Sequence, residues 1–272
     1  MTTPTPYSYV SPIPVRKAHL GDALASEWTK IRSLRSTMWT LGVMVLLMLG
    51  IGLAVAAVVS SSNASTENES PLGLGFFGVL LGSICVITLG VLTIASEYGT
   101  GMIRTTLTAC PSRARVLTAK AIVFFLLVFT ITTVTATLVA LAQVSMVDSA
   151  VEPTSGEWLR ATVGVGLFMA ELGLLALAVG AVVRHSAGAI TIMIGVLLLP
   201  LVAAMFMFSE SLAKVQEWLL DYAIPSQLIA LYAGRSAMGQ SGPSGWDPVW
   251  ILLVITAAAG AGAYALLNSR DV

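Results

Sequence analysis

Six long apolar runs constrain this chain more than any other feature of its sequence. Each approaches the roughly 20 residues that a helix needs to cross about 30 Å of hydrocarbon. Backbone amides inside a bilayer must form their hydrogen bonds within the segment, so runs of this length predict helices rather than strands. The sequence therefore predicts an all-α integral membrane protein with six transmembrane helices. The runs cover residues 40–60, 72–95, 121–144, 159–183, 188–208 and 249–267.

Composition supports the same class. The chain has 272 residues, of which 56% are hydrophobic and 10% charged, and its mean hydropathy is +0.88, which is far from the values of a soluble domain. No apolar core with a small-residue cleavage site follows Met1, so we do not expect a cleaved signal peptide. We assign residues 1–18 to a disordered cytosolic N-terminus, 19–39 to an interfacial helix and 40–272 to one six-helix transmembrane domain.

The distribution of basic residues predicts the orientation in the membrane. With the N-terminus inside, the predicted cytosolic segments hold all of the 14 Lys and Arg residues except Arg160, Lys214 and Arg235. Such an excess is typical of cytosolic loops. An even number of spans then returns the C-terminus to the cytosol. Cys85 in the second span and Cys110 in the following loop lie where no extracellular disulfide is expected.

The segment before the first span has the pattern of an amphipathic helix. Apolar residues recur every three or four positions from Leu20 to Met38, and charged residues occupy the other faces. Two interpretations remain open: a basic flank that only sets the topology, or a helix in the cytosolic interface that contacts lipid and a partner protein. The residues that favour the second interpretation are Glu27, Trp28, Arg32 and Arg35.

The three predicted external connections differ in length, and the last one, residues 209–248, is much the longest. Leu212, Val215, Trp218 and Leu219 repeat there at helical spacing, and residues 224–232 are apolar but too few to cross a bilayer. We expect helical structure in this segment, with 224–232 as a re-entrant or interfacial element. A plain hydrated loop is the alternative.

Small residues punctuate the second and fourth spans. Gly78 and Gly82 form a G-x-x-x-G pattern, which allows helix backbones to approach closely inside lipid. Packing within the chain is the default interpretation, and a seam between two copies is the alternative.

Catalytic motifs are absent from the sequence. No G-x-x-x-x-G-K-[ST] string is present to bind nucleotide phosphates, so this chain is not expected to hydrolyse ATP by that route. Its two histidines, His19 and His185, have no second potential metal ligand as a neighbour, and no span holds a His or a paired base that would activate a Ser or Thr nucleophile. We therefore predict that the protein is not an enzyme by itself and binds no metal or cofactor.

One carboxylate, Glu171, lies deep in an apolar run. An ionised carboxylate at that depth costs about 2.5 to 3.5 kcal/mol, so the side chain is expected to face the bundle interior, pair, or stay protonated. It is either a candidate pathway residue or a protonated group that hydrogen-bonds to a neighbouring helix.

The basic loop at 96–120 separates the second and third spans. Gly99 and Gly101 predict a sharp turn, and Met102–Ala109 can form a short helix before Pro111. Positive charges that set topology explain Arg104, Arg113, Arg115 and Lys120, but they do not explain the ordered glycines.

This loop, E-Y-G-T-G-M-I-R-T-T-L-x-A-x-P-x-R-x-x-V-L-x-A-K, resembles the first cytosolic loop of bacterial type-2 ABC exporter permeases. The run E-W-x-K-x-R-S-x-R-S-T-x-W at 27–39 is similar to the N-terminal helix of actinobacterial members, and 180–188 looks like their connection between the fourth and fifth spans. With six spans in the same order, the resemblance covers nearly the whole chain. The chain departs from this family at Glu171, a residue that is not associated with the family pattern.

The resemblance implies the membrane half of an exporter in the bacterial cell membrane. Two permease subunits, as a homodimer or a heterodimer, would form the pathway between their second and fifth spans. Two separate ATPase subunits would bind ATP and Mg²⁺ and dock on Met102–Ala109, which the resemblance implies is the coupling helix. Other implied partners are membrane lipid and an unidentified exported substrate; nucleic acid is not among them. The implied coupling residues are Glu97, Gly99, Thr100, Gly101, Met102, Arg104, Thr105, Leu107, Pro111 and Arg113.

Two other classes compete with this interpretation. A secondary transporter or channel would need its own ion path, and only Glu171 qualifies for one. A sensor anchor or an intramembrane enzyme would need a soluble domain or a reactive cluster, and the sequence has neither. Apolar spans do not identify the transported compound, since drugs, lipids and peptides suit such walls equally well.

Overall fold

A computed structural model describes residues 19–62, 70–110, 112–147, 152–233 and 242–269, and these ranges contain helices and no strand. This confirms the all-α prediction. Two short 3₁₀ helices, at Pro71–Gly75 and Glu210–Leu212, and one π-helical turn, at Arg160–Gly164, lead directly into α-helices. The helices are α1 (Leu20–Ser33), α2 (Arg35–Ser61), α3 (Phe76–Gly99), α4 (Met102–Ala109), α5 (Arg113–Met146), α6 (Ser155–Leu159), α7 (Val165–Val183), α8 (Ser186–Met205), α9 (Ala213–Tyr222), α10 (Ile224–Ala233) and α11 (Asp247–Ser269).

Six of these helical segments are long and apolar enough to cross a membrane, which confirms the six predicted spans. They are α2, α3 with its preceding turn, α5, α6 continued through α7, α8 and α11. One predicted boundary was wrong. The fifth apolar run continues to Phe208, but α8 ends at Met205, because Phe206 leaves the helical conformation and its N–H bonds to Ala203 instead.

Helix α7 is the centre of the bundle and packs against α3, α5, α8 and α11. It packs very closely on α3, where a Cβ added at Gly90 would overlap the carbonyl oxygen of Gly173. A Cβ at Gly173 would in turn lie 2.5 Å from the ring of Phe124 on α5. Glycine at both positions is therefore what allows three spans to pack around one point.

The G-x-x-x-G pattern of α3 has a similar role within the chain. A Cβ at Gly78 would lie 2.8 Å from the carbonyl oxygen of Met48 on α2, and a Cβ at Gly82 would meet the same methionine's side chain at 3.2 Å. These glycines pack α3 against α2, which supports the default interpretation of the pattern over a seam between two copies.

The segment predicted as one interfacial helix at 19–39 is divided in the structure. Helix α1 ends at Ser33, Leu34 is extended with φ −83° and ψ 113°, and α2 begins at Arg35. Helix α1 packs against α5 and α2. Its apolar residues Leu20 and Trp28 remain exposed, 41% and 49% respectively, so they are available to lipid rather than to the core.

The segment between the fifth and sixth spans contains two helices, so the hydrated-loop alternative is wrong for its described residues. Helix α9 is amphipathic and exposes Val215 and Trp218, while the amide of Gln216 donates to the carbonyl oxygen of Ala204 at 2.9 Å. Helix α10 is too short to cross a membrane but is almost wholly buried against α3, α8 and α11. It is therefore inserted into the bundle, as a re-entrant element would be.

Candidate functional site

Four elements meet at one end of the bundle, hereafter the α1–α4 end. They are α1, the last turn of α3, the short helix α4 and the first turns of α5. Each element contributes a polar side chain to a common cluster of Glu27, Lys30, Glu97, Thr106 and Lys120. This charged cluster is the largest concentration of buried ionised groups among the described residues.

Lys120 is the centre of the charged cluster. Its side chain is only 2% exposed, and its Nζ lies 2.6 Å from Oε2 of Glu27 and 2.8 Å from Oε1 of Glu97. The two carboxylates come from α1 and α3, so this one ammonium group of α5 joins three helices. Glu27 and Glu97 are themselves 4% and 7% exposed.

Lys30 completes the charged cluster from the solvent side. Its Nζ lies 2.7 Å from Oε1 of Glu27 and 3.0 Å from Oε1 of Glu97. It also lies 3.3 Å from Oγ1 of Thr106 on α4. All three N–H donors of this ammonium group thus have a named acceptor, and one of them connects α1 directly to α4.

The charged cluster is formally neutral, with two carboxylates and two ammonium groups. Burial of ions is costly, and pairs of this kind are retained only when each charge has close partners. Removal of one partner would leave an uncompensated buried charge. The arrangement therefore fixes the relative positions of α1, α3, α4 and α5 more strictly than apolar contacts alone would.

The electrostatics of Lys30 reflect its partners. Burial lowers the pKa of an ammonium group, but the hydrogen bonds and the negative charges of Glu27 and Glu97 outweigh it and raise the Lys30 pKa above its ordinary 10.5. The ammonium form is therefore favoured by folding, and this contribution to stability is complete at neutral pH.

The turn before α4 depends on a single glycine. Gly101 has a φ of 73°, a left-handed conformation that is unfavourable for residues with a Cβ. Gly99, also predicted to make the turn, instead ends α3, and a Cβ there would meet no atom within 4 Å. The N–H of Gly101 donates to the carbonyl oxygen of Tyr98 at 3.2 Å, which closes the turn.

Helix α4 has one face packed on the protein and one face exposed. Ile103 is buried, and Thr106 and Leu107 are half-buried on the same side. Met102, Arg104, Thr105, Thr108 and Ala109 are exposed. A short helix held from one side, with an open outer face of mixed polarity, is suited to contact another protein.

Further contacts join the α1–α4 end to the remaining spans. Arg113 Nη1 donates to the carbonyl oxygen of Leu267 near the end of α11. The guanidinium of Arg184, in the connection between α7 and α8, lies 4.9 Å from the ring centroid of Tyr98. His185 caps α8 by accepting a hydrogen bond from the N–H of Gly188 at 3.1 Å.

The residues predicted from the sequence are distributed over this end in different ways. Glu27 and Glu97 belong to the charged cluster, Gly101 makes the turn, and Arg113 contacts α11. Pro111 lies outside the described residues. The exposed members are Trp28, Arg32, Arg35, Gly99, Thr100, Met102, Arg104 and Thr105, and Leu107 is half-buried.

Three residues of the charged cluster were missed. The partners of Glu97 are Lys30 and Lys120. The sequence pattern was interpreted as a topology signal at both lysines, and Thr106 was not predicted as a site residue. A signal for them was present, since Glu27 and Lys30 are one helical turn apart and Lys120 ends the loop motif that Glu97 begins.

Glu171 is separate from the charged cluster. It is 4% exposed on α7, and the hydroxyl of Thr256 on α11 donates to its backbone carbonyl oxygen at 3.3 Å. Its carboxylate Oε2 has no hydrogen-bond partner among the described residues. The side chain faces the bundle interior, as expected for a carboxyl group at this depth.

Comparison with protein families identifies the class of protein. Residues 23–199, more than half of the chain, match the family described as ABC-2 family transporter protein. The matched region includes the charged cluster, α4 and the first four spans, and it confirms the resemblance to ABC transporter permeases. A comparison with curated proteins found no match. This chain therefore belongs to the ABC-2 transporter family and is a membrane permease of an ABC transporter.

Proposed function

We propose that this chain is the membrane-spanning subunit of an ATP-driven exporter in a bacterial cell membrane. Two permease subunits form the translocation pathway, and two separate ATPase subunits bind ATP and Mg²⁺ and supply the chemistry. The α1–α4 end and both termini face the cytosol, in line with the distribution of Lys and Arg. The observation that carries this proposal is the attachment of α4: its inner face is bound to three other helices and its outer face is open.

Helix α4 is the coupling helix in this proposal. A movement of the ATPase can change the permease only through an element that is stiff and has two arrangements available to it. The Lys30 contact with Thr106 attaches α4 to α1, and the Glu97 and Lys120 pair attaches the same region to α3 and α5. A force on the outer face of α4 is thus transmitted to two membrane spans.

The pathway lies between the two permease subunits, lined by the second and fifth spans, α3 and α8. Helix α3 packs between α2 and α7, and leaves Phe77 and Leu81 exposed. Helix α8 exposes a longer apolar face that includes Ile192 and Leu199. Exposed apolar surface on these two spans supports contact with lipid, cargo or the second permease subunit.

Charge reversal at Arg104 tests the coupling role. Arg104 is exposed on the outer face of α4, so Arg104→Glu should disturb the ATPase contact without unfolding the permease. We expect reduced co-purification of the ATPase and loss of the permease-dependent stimulation of ATP hydrolysis in proteoliposomes. Lys214→Glu, an equal charge reversal at an exposed position of α9, is the matched control and should behave as the wild type. Normal stimulation by Arg104→Glu would contradict the assignment of α4.

A further inference from the structure

A cavity of about 270 Å³ lies beside the charged cluster, between α1, α2 and α3. Glu97 and Lys120 line it at one side, and Leu34, Leu89 and Leu92 contribute an apolar wall. The cavity is therefore amphipathic: it is polar where it meets the charged cluster and apolar along the two spans. Met102 at the start of α4 and Lys120 of α5 also line it, so the cavity adjoins the first turn of α4.

Seven hydroxyl groups make up most of the polar lining of this cavity, together with the carboxylates of Glu27 and Glu97 and the ammonium groups of Lys30 and Lys120. A hydroxyl has one proton to donate, and five hydroxyls that line the cavity donate it to carbonyl oxygens of their own helices at 2.5 to 3.0 Å. Only their lone pairs remain available to a ligand. These hydroxyls belong to Ser33, Thr40, Thr93, Ser96 and Thr100.

Glu97 adds a second and independent observation. The whole residue is 5% exposed. Its Oε1 accepts hydrogen bonds from both Lys30 and Lys120, and its Oε2 has no hydrogen-bond partner within the described ranges. A buried carboxylate oxygen without a donor is costly. Lys30 has no spare donor for it, because its three N–H groups already have acceptors. Lys120 donates to Glu27 and to Oε1 of Glu97, and it makes no hydrogen bond to Oε2. The unsatisfied atom is therefore an acceptor with almost no exposed surface, and a ligand in the cavity reaches it when the Glu97 side chain turns toward the cavity.

We propose that this cavity binds a primary ammonium group attached to an apolar chain. An ammonium group supplies three N–H donors and one positive charge to a lining of hydroxyl lone pairs and a carboxylate, and the apolar chain lies along Leu89 and Leu92. Lys30 and Lys120 do not oppose this charge, since each is matched by Glu27 and Glu97. A lipid with an ethanolamine headgroup and a free long-chain amine share this chemistry.

The proposal is tested by ligand binding to the full-length chain in detergent, independent of transport and of any ATPase. The probes are dodecylamine, dodecyltrimethylammonium, which has the charge but no N–H donor, and dodecanol, which has no charge. We expect dodecylamine to raise the unfolding temperature most and to bind at least about tenfold more tightly than the other two, as expected for loss of charge-assisted hydrogen bonds. Equal binding of all three probes would overturn the proposal.

Matched variants locate the binding site. Thr40→Val and Thr93→Val together remove two acceptors but keep the side-chain shape, and dodecylamine should bind to this double variant about tenfold more weakly. Thr88→Val is the control, because Thr88 makes the same intrahelical hydrogen bond on α3 and does not line the cavity. Wild-type affinity in the double variant, or equal loss in Thr88→Val, would overturn the assignment of this cavity.

Nanodiscs distinguish the two sources of the ammonium group. If the ligand is lipid, discs of phosphatidylethanolamine should block dodecylamine binding that discs of phosphatidylcholine permit. If it is a free amine, dodecylamine should bind equally in both discs. Either result supports the site, whereas absence of binding in both discs would contradict it.

Discussion

The ammonium group of Lys120 lies 2.6 Å from a carboxylate oxygen of Glu27, although 93 positions separate the two residues. This contact joins the N-terminal helix to the third span. Lys120 simultaneously contacts Glu97 at the end of the second span, so a single buried charge determines how three helices meet beside the coupling helix.

Loss of Lys120 should destabilise the permease strongly, and loss of a matching carboxylate should restore it. Lys120→Met leaves two buried carboxylates with Lys30 alone, and breaking a buried pair in this way costs about 3 to 5 kcal/mol. The double variant Glu97→Gln with Lys120→Met leaves the neutral pair of Glu27 and Lys30. Thermal unfolding in detergent should show that the double variant recovers most of the loss. Strictly additive losses would show that the two side chains do not interact.

Lys30 should make stability depend on alkaline pH. Its pKa is raised above 10.5 in the folded protein, so its contribution is complete below 10.5 and is lost as the pH rises through the higher folded value. Between about pH 10 and about pH 12, the unfolding temperature of Lys30→Gln should therefore fall less steeply than that of the wild type. Lys214→Gln, at an exposed position of α9, should retain the wild-type slope. A wild-type slope in Lys30→Gln would show that Lys30 forms no stabilising ion pair in the charged cluster.

Gly101 should be sensitive to substitution and Gly99 should not. Gly101→Ala places a Cβ on left-handed backbone at a cost of roughly 1 to 2 kcal/mol, and Gly101→Pro is worse because proline requires a negative φ. Gly99→Ala adds a Cβ in open space and should change the unfolding free energy by less than about 0.5 kcal/mol. Stimulation of the ATPase should fall in both Gly101 variants. Equal tolerance at the two positions would place the essential turn elsewhere.

Glu171→Gln should keep both the fold and the activity. The carboxyl group is buried with an oxygen that has no partner in the described part of the chain, so a neutral amide of the same shape avoids the cost of a buried charge. We expect an unfolding temperature equal to or above that of the wild type, and unchanged rate and pH dependence of the coupled ATPase. A folded Glu171→Gln with lost activity, or with ion flux that the wild type performs without ATP, would favour the competing secondary transporter.

The sequence predicted those features that depend on neighbouring residues. Six spans follow from the lengths of apolar runs, and α4 follows from the glycines at 99 and 101 before it and the proline at 111 after it. The end of α8 at Met205 was missed, because the apolar run continues through Phe208 without a helix-stop signal. The break at Leu34 was missed because the sequence around it also lacks a helix-stop signal.

The charged cluster depends on contacts between distant residues, and a single sequence does not reveal them. Lys30 and Glu97 are 67 positions apart, and only the packing of α1 beside α3 brings them together. Charge patterns near membrane spans have a simpler explanation in topology, so the spacing of Lys30 and Lys120 relative to Glu27 and Glu97 was not interpreted as a sign of ion pairs. The sequence left α10 open between a re-entrant and an interfacial element, since its apolar residues suit either a bundle interior or a membrane surface, and its burial in the structure favours the first.

Site-specific photo-crosslinking tests the central claim most directly, namely that a separate ATPase subunit docks on the outer face of α4. A photoreactive residue at Thr105, exposed on α4, and one at Trp218, exposed on α9 at the other end of the bundle, are compared in membranes that contain the ATPase. If the ATPase docks on α4, it should be crosslinked from position 105 and not from 218. Crosslinking of the ATPase from position 218 would contradict this claim. Crosslinking from neither position, together with ATP hydrolysis or solute transport by the purified chain alone, would also contradict it.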